Sequence, residues 1–296
     1  MKNNFSKPHG RHPGPSQLIR DPWLFLPIIK ILNVFIFISI LFIASPIYAK
    51  SHIVKTDNVP GGIVIKSIPR SSKAYFNKHR VMILKKRWRY WAIVGIPLTM
   101  KPGKHYLLAV YRNKRKLIPI KIRHKQYPFT RLTVRNSGFI PTKDFIKRLS
   151  RENTTTHKAF EHWSNKNNVD LNFIMPVQGR ISSQFGVHRL MNYSRSSQHR
   201  GIDIAAKTGT PIRAPAYGTV IKTGRYVLLG NTIFIDHGQN LITVYAHLSK
   251  ILVKANQHVK RGQIIGRVGS TGRSTGPHLH WGVNLNNTRV NPLLFI

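Results

Sequence analysis

The sequence predicts a mainly β protein in which a smaller β-rich module and a short helical connection precede an antiparallel β domain. Three observations carry this reading. From His52 to about Pro141 the chain is a series of short apolar or β-branched runs divided by Gly, Pro and Asn-Lys turns. The stretch "PTKDFIKRL" then has the signature of a helix start. From about Leu171 strand-like runs resume with glycine punctuation, and they do not alternate with the helical segments that a parallel sheet requires.

The elements follow in order. Residues 1–30 are polar and basic, with Lys2, Lys7, Arg11, Arg20 and Lys30, and lead into "ILNVFIFISILFIASPIYA" from Ile31 to Ala49. The dense apolar part, Val34 to Ala44, is shorter than the roughly 20 residues that span a bilayer and resembles a signal-peptide core. Pro46 and the small Ala49 follow it. Residues 1–49 are therefore expected to be a signal peptide or an uncleaved signal anchor. Either way the basic leader directs the rest of the chain out of the cytoplasm. Membrane contact is expected only if the segment stays uncleaved.

Residues 50–141 form the expected amino-terminal β-rich domain, with "GIVIKSI", "YWAIVGIPL", "KHYLLAVY" and "KLIPIKI" as its strands. Residues 142–170 are a helical linker. Thr142 can cap, Asp144 complements the positive end of the dipole, and Phe145, Ile146 and Leu149 share a face. Polar residues Ser164–Asn168 close the linker. Residues 171–296 hold "GRISSQFG", "GTVIKTG", "NTIFIDHG", "LITVYAHL" and "GQIIGRVG", the strands of the larger domain. No internal repeat and no phosphate-binding glycine loop is present.

The chain of 296 residues carries 48 Lys+Arg against 8 Asp+Glu, a formal net charge of +40. That balance suits a polyanionic partner, whether nucleic acid, anionic lipid or a carboxylate-rich cell-wall polymer. Drift of a whole proteome towards lysine and arginine produces the same composition. Export argues against nucleic acid, and none is expected as a partner. With no cysteine, disulfides, thiol nucleophiles and Cys zinc sites are excluded. Only Glu152 and Glu161 are glutamates and neither lies in an H-E-x-x-H helix, so a general base is expected to be histidine.

The candidate site starts from "GSTGRSTGPHLHWGV", Gly269 to Val283. Residues two apart share a face only on a strand. His278 and His280 can therefore address one centre if Pro277 leads into a strand and the Gly/Ser/Thr run is the loop that delivers it. In "HRGIDIAA", His199 and Asp203 are four apart and read as one face of an extended segment. Two imidazoles and a carboxylate with an open fourth position suit a catalytic zinc site. "YAHL" adds His247 on a third strand. His237 reads as structural, Asp236 as an acceptor for loop amides, and His188 and His258 as surface residues. Arg195 and Arg200 are the cations nearest the first ligand.

In order and spacing, "HRGID", "GTPIRAPAYGTV", "NTIFIDHGQNLITVYAHL" and "RGQIIGRVGSTGRSTGPHLH" resemble the lysostaphin-type (LytM-domain) zinc metallopeptidases over about residues 174–293. "PGGIVIKSIP", "WAIVGIPL" and "FIPTKDF" are similar to the β-rich domain that precedes the peptidase in some Gram-negative murein hydrolases. The resemblance implies an antiparallel LytM-type fold and an exported endopeptidase, periplasmic or in the cell envelope, acting on peptidoglycan, with the bond between D-alanine and meso-diaminopimelate as the expected target. It makes His199, Asp203 and His280 the Zn2+ ligands, His278 the base for the attacking water, and His247 its partner, orienting water or stabilising the oxyanion. Relatives commonly read "HLHFE" where this chain has "HLHWG". The alternative that the resemblance allows is a catalytically silent LytM domain that binds murein and activates an amidase.

Overall fold

The structure is a computed structural model that describes residues 54–132, 142–191 and 195–296. The expected leader, 1–49, lies outside the described residues. The first eight strands are β1 (Ile63–Ile68), β2 (Lys73–Phe76), β3 (His79–Arg80), β4 (Met82–Lys86), β5 (Arg89–Gly95), β6 (Gly103–Tyr111), β7 (Lys114–Ile122) and β8 (Phe129–Leu132). They give a three-stranded sheet, β1-β5-β4, and a four-stranded sheet, β3-β2-β6-β7. The period-2 alternation turns Val64, Ala92, Val94, Leu107, Ala109 and Ile120 into one shared core. Asn77-Lys78 and Arg112-Asn113 both have positive φ, the backbone that two-residue hairpin turns need. Pro119 sits in β7, an edge strand where its missing N–H costs no ladder bond.

Helix α1 (Lys143–Glu161) is capped as expected, with Thr142 Oγ1 accepting from the amide of Phe145. It runs 19 residues, well past the signal that marks its start. Its expected apolar face is only partly covered, and Ile146 remains 56% exposed. The other end of the helix does the packing: Ala159 and Phe160 sit on Tyr226, Phe234, Ile242 and Val244. Glu152 accepts from the amide of Val227, and Asn240 donates to the carbonyls of Phe160 and His162.

Thirteen strands follow: β9 (Arg180–Ser183), β10 (His188–Met191), β11 (Arg195–Gln198), β12 (Ile202–Ala205), β13 (Pro211–Arg213), β14 (Gly218–Tyr226), β15 (Gly230–Gly238), β16 (Leu241–Leu248), β17 (Lys250–Ile251), β18 (His258–Val259), β19 (Ile264–Arg267), β20 (His278–Leu285) and β21 (Thr288–Val290). The main sheet runs β18-β14-β15-β16-β20-β12-β9 with β21 beside β20. A second sheet, β13-β19-β17, shares its core through Ile212, Ile233, Leu248 and Ile265. Among the described residues pairing is antiparallel as expected, except that β8 joins the antiparallel β10–β11 pair in parallel. Phe129 thereby stacks on His188, which is half-buried instead of lying on the surface as expected; His258 is exposed.

The two β regions meet where Gly95 packs on the β20–β21 turn and donates its amide to Asn286 Oδ1. Gln239 bonds both ways with the backbone of Ile83. Lys50–Ile296 forms one compact unit. No helix among the described residues is long and apolar enough to cross a membrane.

Candidate active site

Strand register does most of the assembly. Asp203 on β12 lies directly opposite His280 on β20, and Ala205 opposite His278, so both histidines and the aspartate share a face. The Gly/Ser/Thr run does deliver β20, which begins at His278. His199 is reached differently from the expectation. It lies between β11 and β12, and the chain bends at Gly201 before the strand begins, so the two residues do not share an extended segment. The bend still brings His199 Nε2 to 3.0 Å from Asp203 Oδ1. Gly201 is required by close approach: a Cβ there would lie 2.6 Å from the Trp281 carbonyl oxygen and 2.7 Å from His280 Cε1.

His280 Nδ1 lies 2.8 Å from Asp203 Oδ1 and 3.1 Å from His199 Nε2. Three donor atoms thus converge on one point with mutual separations near 3 Å. Ligands of a tetrahedral zinc with bonds of about 2.0–2.1 Å stand about 3.3 Å apart, so the donor set and its spacing fit that ion. The tautomer of His199 is fixed from behind, because its Nδ1–H points at the Gln184 carbonyl, 2.8 Å away. Its Nε2 lone pair is left for the centre, the usual outer-shell arrangement of a metal-ligating histidine.

Arg189, on β10, was not singled out in the sequence. Its Nη2 donates to Asp203 Oδ2 and to Ser183 Oγ, both at 2.8 Å. One carboxylate oxygen is held by the guanidinium while the other faces the histidines. Burial alone would raise the Asp203 carboxyl, but contacts with His199 and His280 outweigh it and hold the group well below the usual carboxylate range. Arg200 is exposed; the side chain of Arg195 lies outside the described residues.

His247 joins through an irregularity. Ala246, not His247, is paired with His280, so a regular strand would turn the His247 ring to the opposite face. Instead His247 adopts φ +65° beside a register shift in β16. Its ring ends 4.7 Å from that of His278 and 6.1 Å from that of His280. Its Nδ1–H donates to the Thr271 carbonyl at 2.9 Å, and the Nδ1–H of His278 donates to the Gly276 carbonyl at 2.8 Å. In the neutral tautomer that these bonds select, each ring presents Nε2 as the acceptor, and His278 Nε2 stands 3.9 Å from Asp203 Oδ1.

Burial holds His247 down to about 4, helped by the neighbouring His280 and His278. His280 is lowered by burial too, against the pull of Asp203. For His247 and His280 desolvation is the largest cause of the lowering. His237 stands apart from this cluster, fully buried, with Nδ1–H to the Tyr217 carbonyl and Nε2 accepting from Thr243. Asp236 accepts from the amide of Gly238. At Gly282, the departure from the common motif, a Cβ would meet Val244 Cγ1 at 2.8 Å, and no metal-facing atom is lost.

Known proteins match both parts of the chain. The model for peptidase family M23 covers residues 197–292, and that for its N-terminal domain residues 56–125. The DD-carboxypeptidase/endopeptidase Mpg of Neisseria meningitidis serogroup B is 47% identical over 119 residues, 40% of this chain and 27% of that protein. Peptidoglycan DD-endopeptidase ShyA of Vibrio cholerae is 45% identical over 115 residues, 38% of this chain and 27% of the relative. The matched stretch is thus about a quarter of the length of these curated relatives. A Pseudomonas aeruginosa chain assigned to peptidase M23, solved by crystallography, superposes with a TM-score of 0.70 at 36% identity, over 81% of this chain and 96% of that one. With the fold matched across almost all of that structure, this chain belongs to peptidase family M23.

Proposed function

We propose that this protein is an exported zinc endopeptidase that hydrolyses peptide cross-links of peptidoglycan, at the bond between D-alanine and meso-diaminopimelate. One observation carries the reading: His199 Nε2, Asp203 Oδ1 and His280 Nδ1 converge within 2.8–3.1 Å while two further histidines present free Nε2 atoms beside them. The names of the relatives, peptidoglycan DD-endopeptidase among them, support the substrate class.

His199, Asp203 and His280 would hold the zinc. Once bound, the ion acts as a Lewis acid on the scissile carbonyl and lowers the pKa of water to about 7. His278 has its Nδ1–H committed to Gly276, so its Nε2 can take the proton of the attacking water and return it to the leaving amine. His247 is neutral with a free Nε2 lone pair, which suits accepting a hydrogen bond from that water better than donating to an oxyanion. Arg189 keeps the Asp203 carboxylate oriented and ionised. Glu152 accepts from Arg148 and the amide of Val227 and is engaged structurally, which leaves proton transfer to histidine.

The complete set of five side chains speaks against the catalytically silent alternative. The test is mass spectrometry of muropeptides after digestion by the wild type with and without a chelator. Loss of the cross-linked dimer in favour of monomers, abolished by chelation and restored by zinc, is expected. Intact dimers under all conditions would refute the proposal.

A further inference from the structure

A second surface on this chain is built by the turns at the far end of the amino-terminal module. Between Asp57 and Asp144 the sequence contains no Asp or Glu but 21 Lys and Arg. Strand register places part of that charge at one end. Ile68, the last residue of β1, pairs with Tyr90, so the turn after β1 lies beside the β4–β5 turn. Lys73, four residues past that first turn's start at Pro69, pairs with Val110, next to the β6–β7 turn. Three turns therefore gather there, carrying Arg70, Arg87, Trp88 and Arg112, all exposed.

Trp88 is the unusual member. It is 91% exposed at the tip of the β4–β5 hairpin, between exposed Lys85, Arg87 and Arg89. Leu117, on the outward face of β7 close to the third turn, is 62% exposed. The opposite end of the module is the one joined to the rest of the chain, through Gly95 to Asn286 and through Gly61 to Asn291. From Arg89 to Gly95 the strand covers about 20 Å at 3.3 Å per residue.

We infer that this end of the module docks onto an anionic lipid surface, with Trp88 entering the headgroup layer and the flanking arginines and lysines meeting lipid phosphates. An indole prefers the membrane–water boundary, where its apolar body and N–H are both satisfied. Each cation close to an anionic leaflet adds attraction that reaches only about a Debye length. The pairing of a protruding indole with an acid-free cationic rim favours lipid over a soluble anionic polymer, for which charge alone would suffice. A docked module turns its other end, the one bonded to Asn286 and Asn291, away from the bilayer. Membrane contact then does not depend on the fate of residues 1–49, nor on the peptidase reading being right.

Residues 50–296 are one compact unit, and the cores seen among the described residues lie within it, so it can be tested without the leader. Vesicle sedimentation with phosphatidylethanolamine containing 30 mol% phosphatidylglycerol (about 30%, enough to set a negative surface potential) is compared with vesicles of phosphatidylcholine alone. Binding to the anionic vesicles is expected, weakened at least about tenfold by Trp88→Ser and by a combined Lys85→Gln, Arg87→Gln, Arg89→Gln variant, with muropeptide digestion unchanged. All four residues are exposed, and circular dichroism checks that the variants fold. Absence of binding to the anionic vesicles, or binding that both variants retain, overturns the inference. So does loss of binding to purified sacculi with vesicle binding intact, which would assign the surface to the polymer.

Discussion

His247 and His278 face each other with ring centroids 4.7 Å apart, and each gives its Nδ1–H to a carbonyl of the same loop, Thr271 for one and Gly276 for the other. The loop between Gly269 and Pro277 thus does more than turn the chain into β20: its backbone sets the tautomer of both rings. Replacing either histidine removes one Nε2 acceptor and leaves the three converging donors in place. His278→Ala is expected to lower kcat on muropeptide dimers by about 10²–10⁴-fold, the range for loss of a general base, with zinc content unchanged. His247→Ala should lower kcat less than His278→Ala. Equal activity of wild type and His278→Ala would remove His278 from its assigned role.

Metal removal should be visible in stability as well as activity. Ligands that bind only the folded state stabilise it by RT ln(1 + [L]/Kd), about 2.7 kcal/mol at a hundredfold excess over Kd. Zinc should therefore raise the Tm of the chelated wild type, and His280→Ala should abolish the difference while preserving the β-sheet spectrum. A Tm insensitive to chelator and zinc alike would argue that the three donors do not hold an ion.

Arg189 offers a separate handle on the same centre. Its guanidinium binds Asp203 Oδ2, so Arg189→Gln leaves every donor atom present but frees the carboxylate to rotate. Loss of such outer partners typically costs 10–100-fold in metal affinity. Competition against a chromophoric chelator should register that drop in zinc affinity, with Arg189→Lys recovering part of it. An unchanged affinity in Arg189→Gln would mean the carboxylate is held by the strand pair alone.

Much of this architecture is legible in the sequence, for identifiable reasons. Apolar and β-branched runs bounded by Gly, Pro and Asn turns are what a strand demands of its sequence, so β1, β5, β6, β14, β15 and β16 announce themselves. His278 and His280 declare their shared face because a proline and a glycine-rich loop bracket the start of the strand. Position 247 is where periodicity fails. The alternation implied by the Ala246–His280 pair points its ring the wrong way, and only the left-handed backbone at φ +65° restores it. No local residue choice signals that bend: histidine is enriched among non-glycine residues at positive φ, but such backbone is still uncommon for it. Arg189 is invisible for another reason: one arginine among many in a basic chain becomes distinctive only when the hairpin folds it onto Asp203. The length of α1 was hidden too, because its stabilising contacts come from Tyr226, Phe234 and Ile242, far along the chain.

His237 predicts an acid sensitivity that lies in the fold and not in the catalytic chemistry. Tyr245 donates to Thr243 Oγ1, Thr243 donates to His237 Nε2, and His237 Nδ1–H donates to the Tyr217 carbonyl, a closed chain with no place for a second ring proton. Burial accordingly pushes the imidazole from its ordinary 6.5 down to about 4. Above pH 6.5 the ring is neutral in folded and unfolded chains, and its contribution does not change with pH. Between about 6.5 and 4 the unfolded chain takes up a proton that the folded one refuses, so stability falls by up to about 1.4 kcal/mol per pH unit from this residue. Urea midpoints measured from pH 7.5 to 4.5 should show that decline. His237→Gln is expected to be less stable at pH 7.5, through the disturbed chain of bonds, yet to lose less stability on acidification than the wild type. Parallel curves for the two proteins would show that the acid dependence arises elsewhere, with the buried ring of His247 the next candidate.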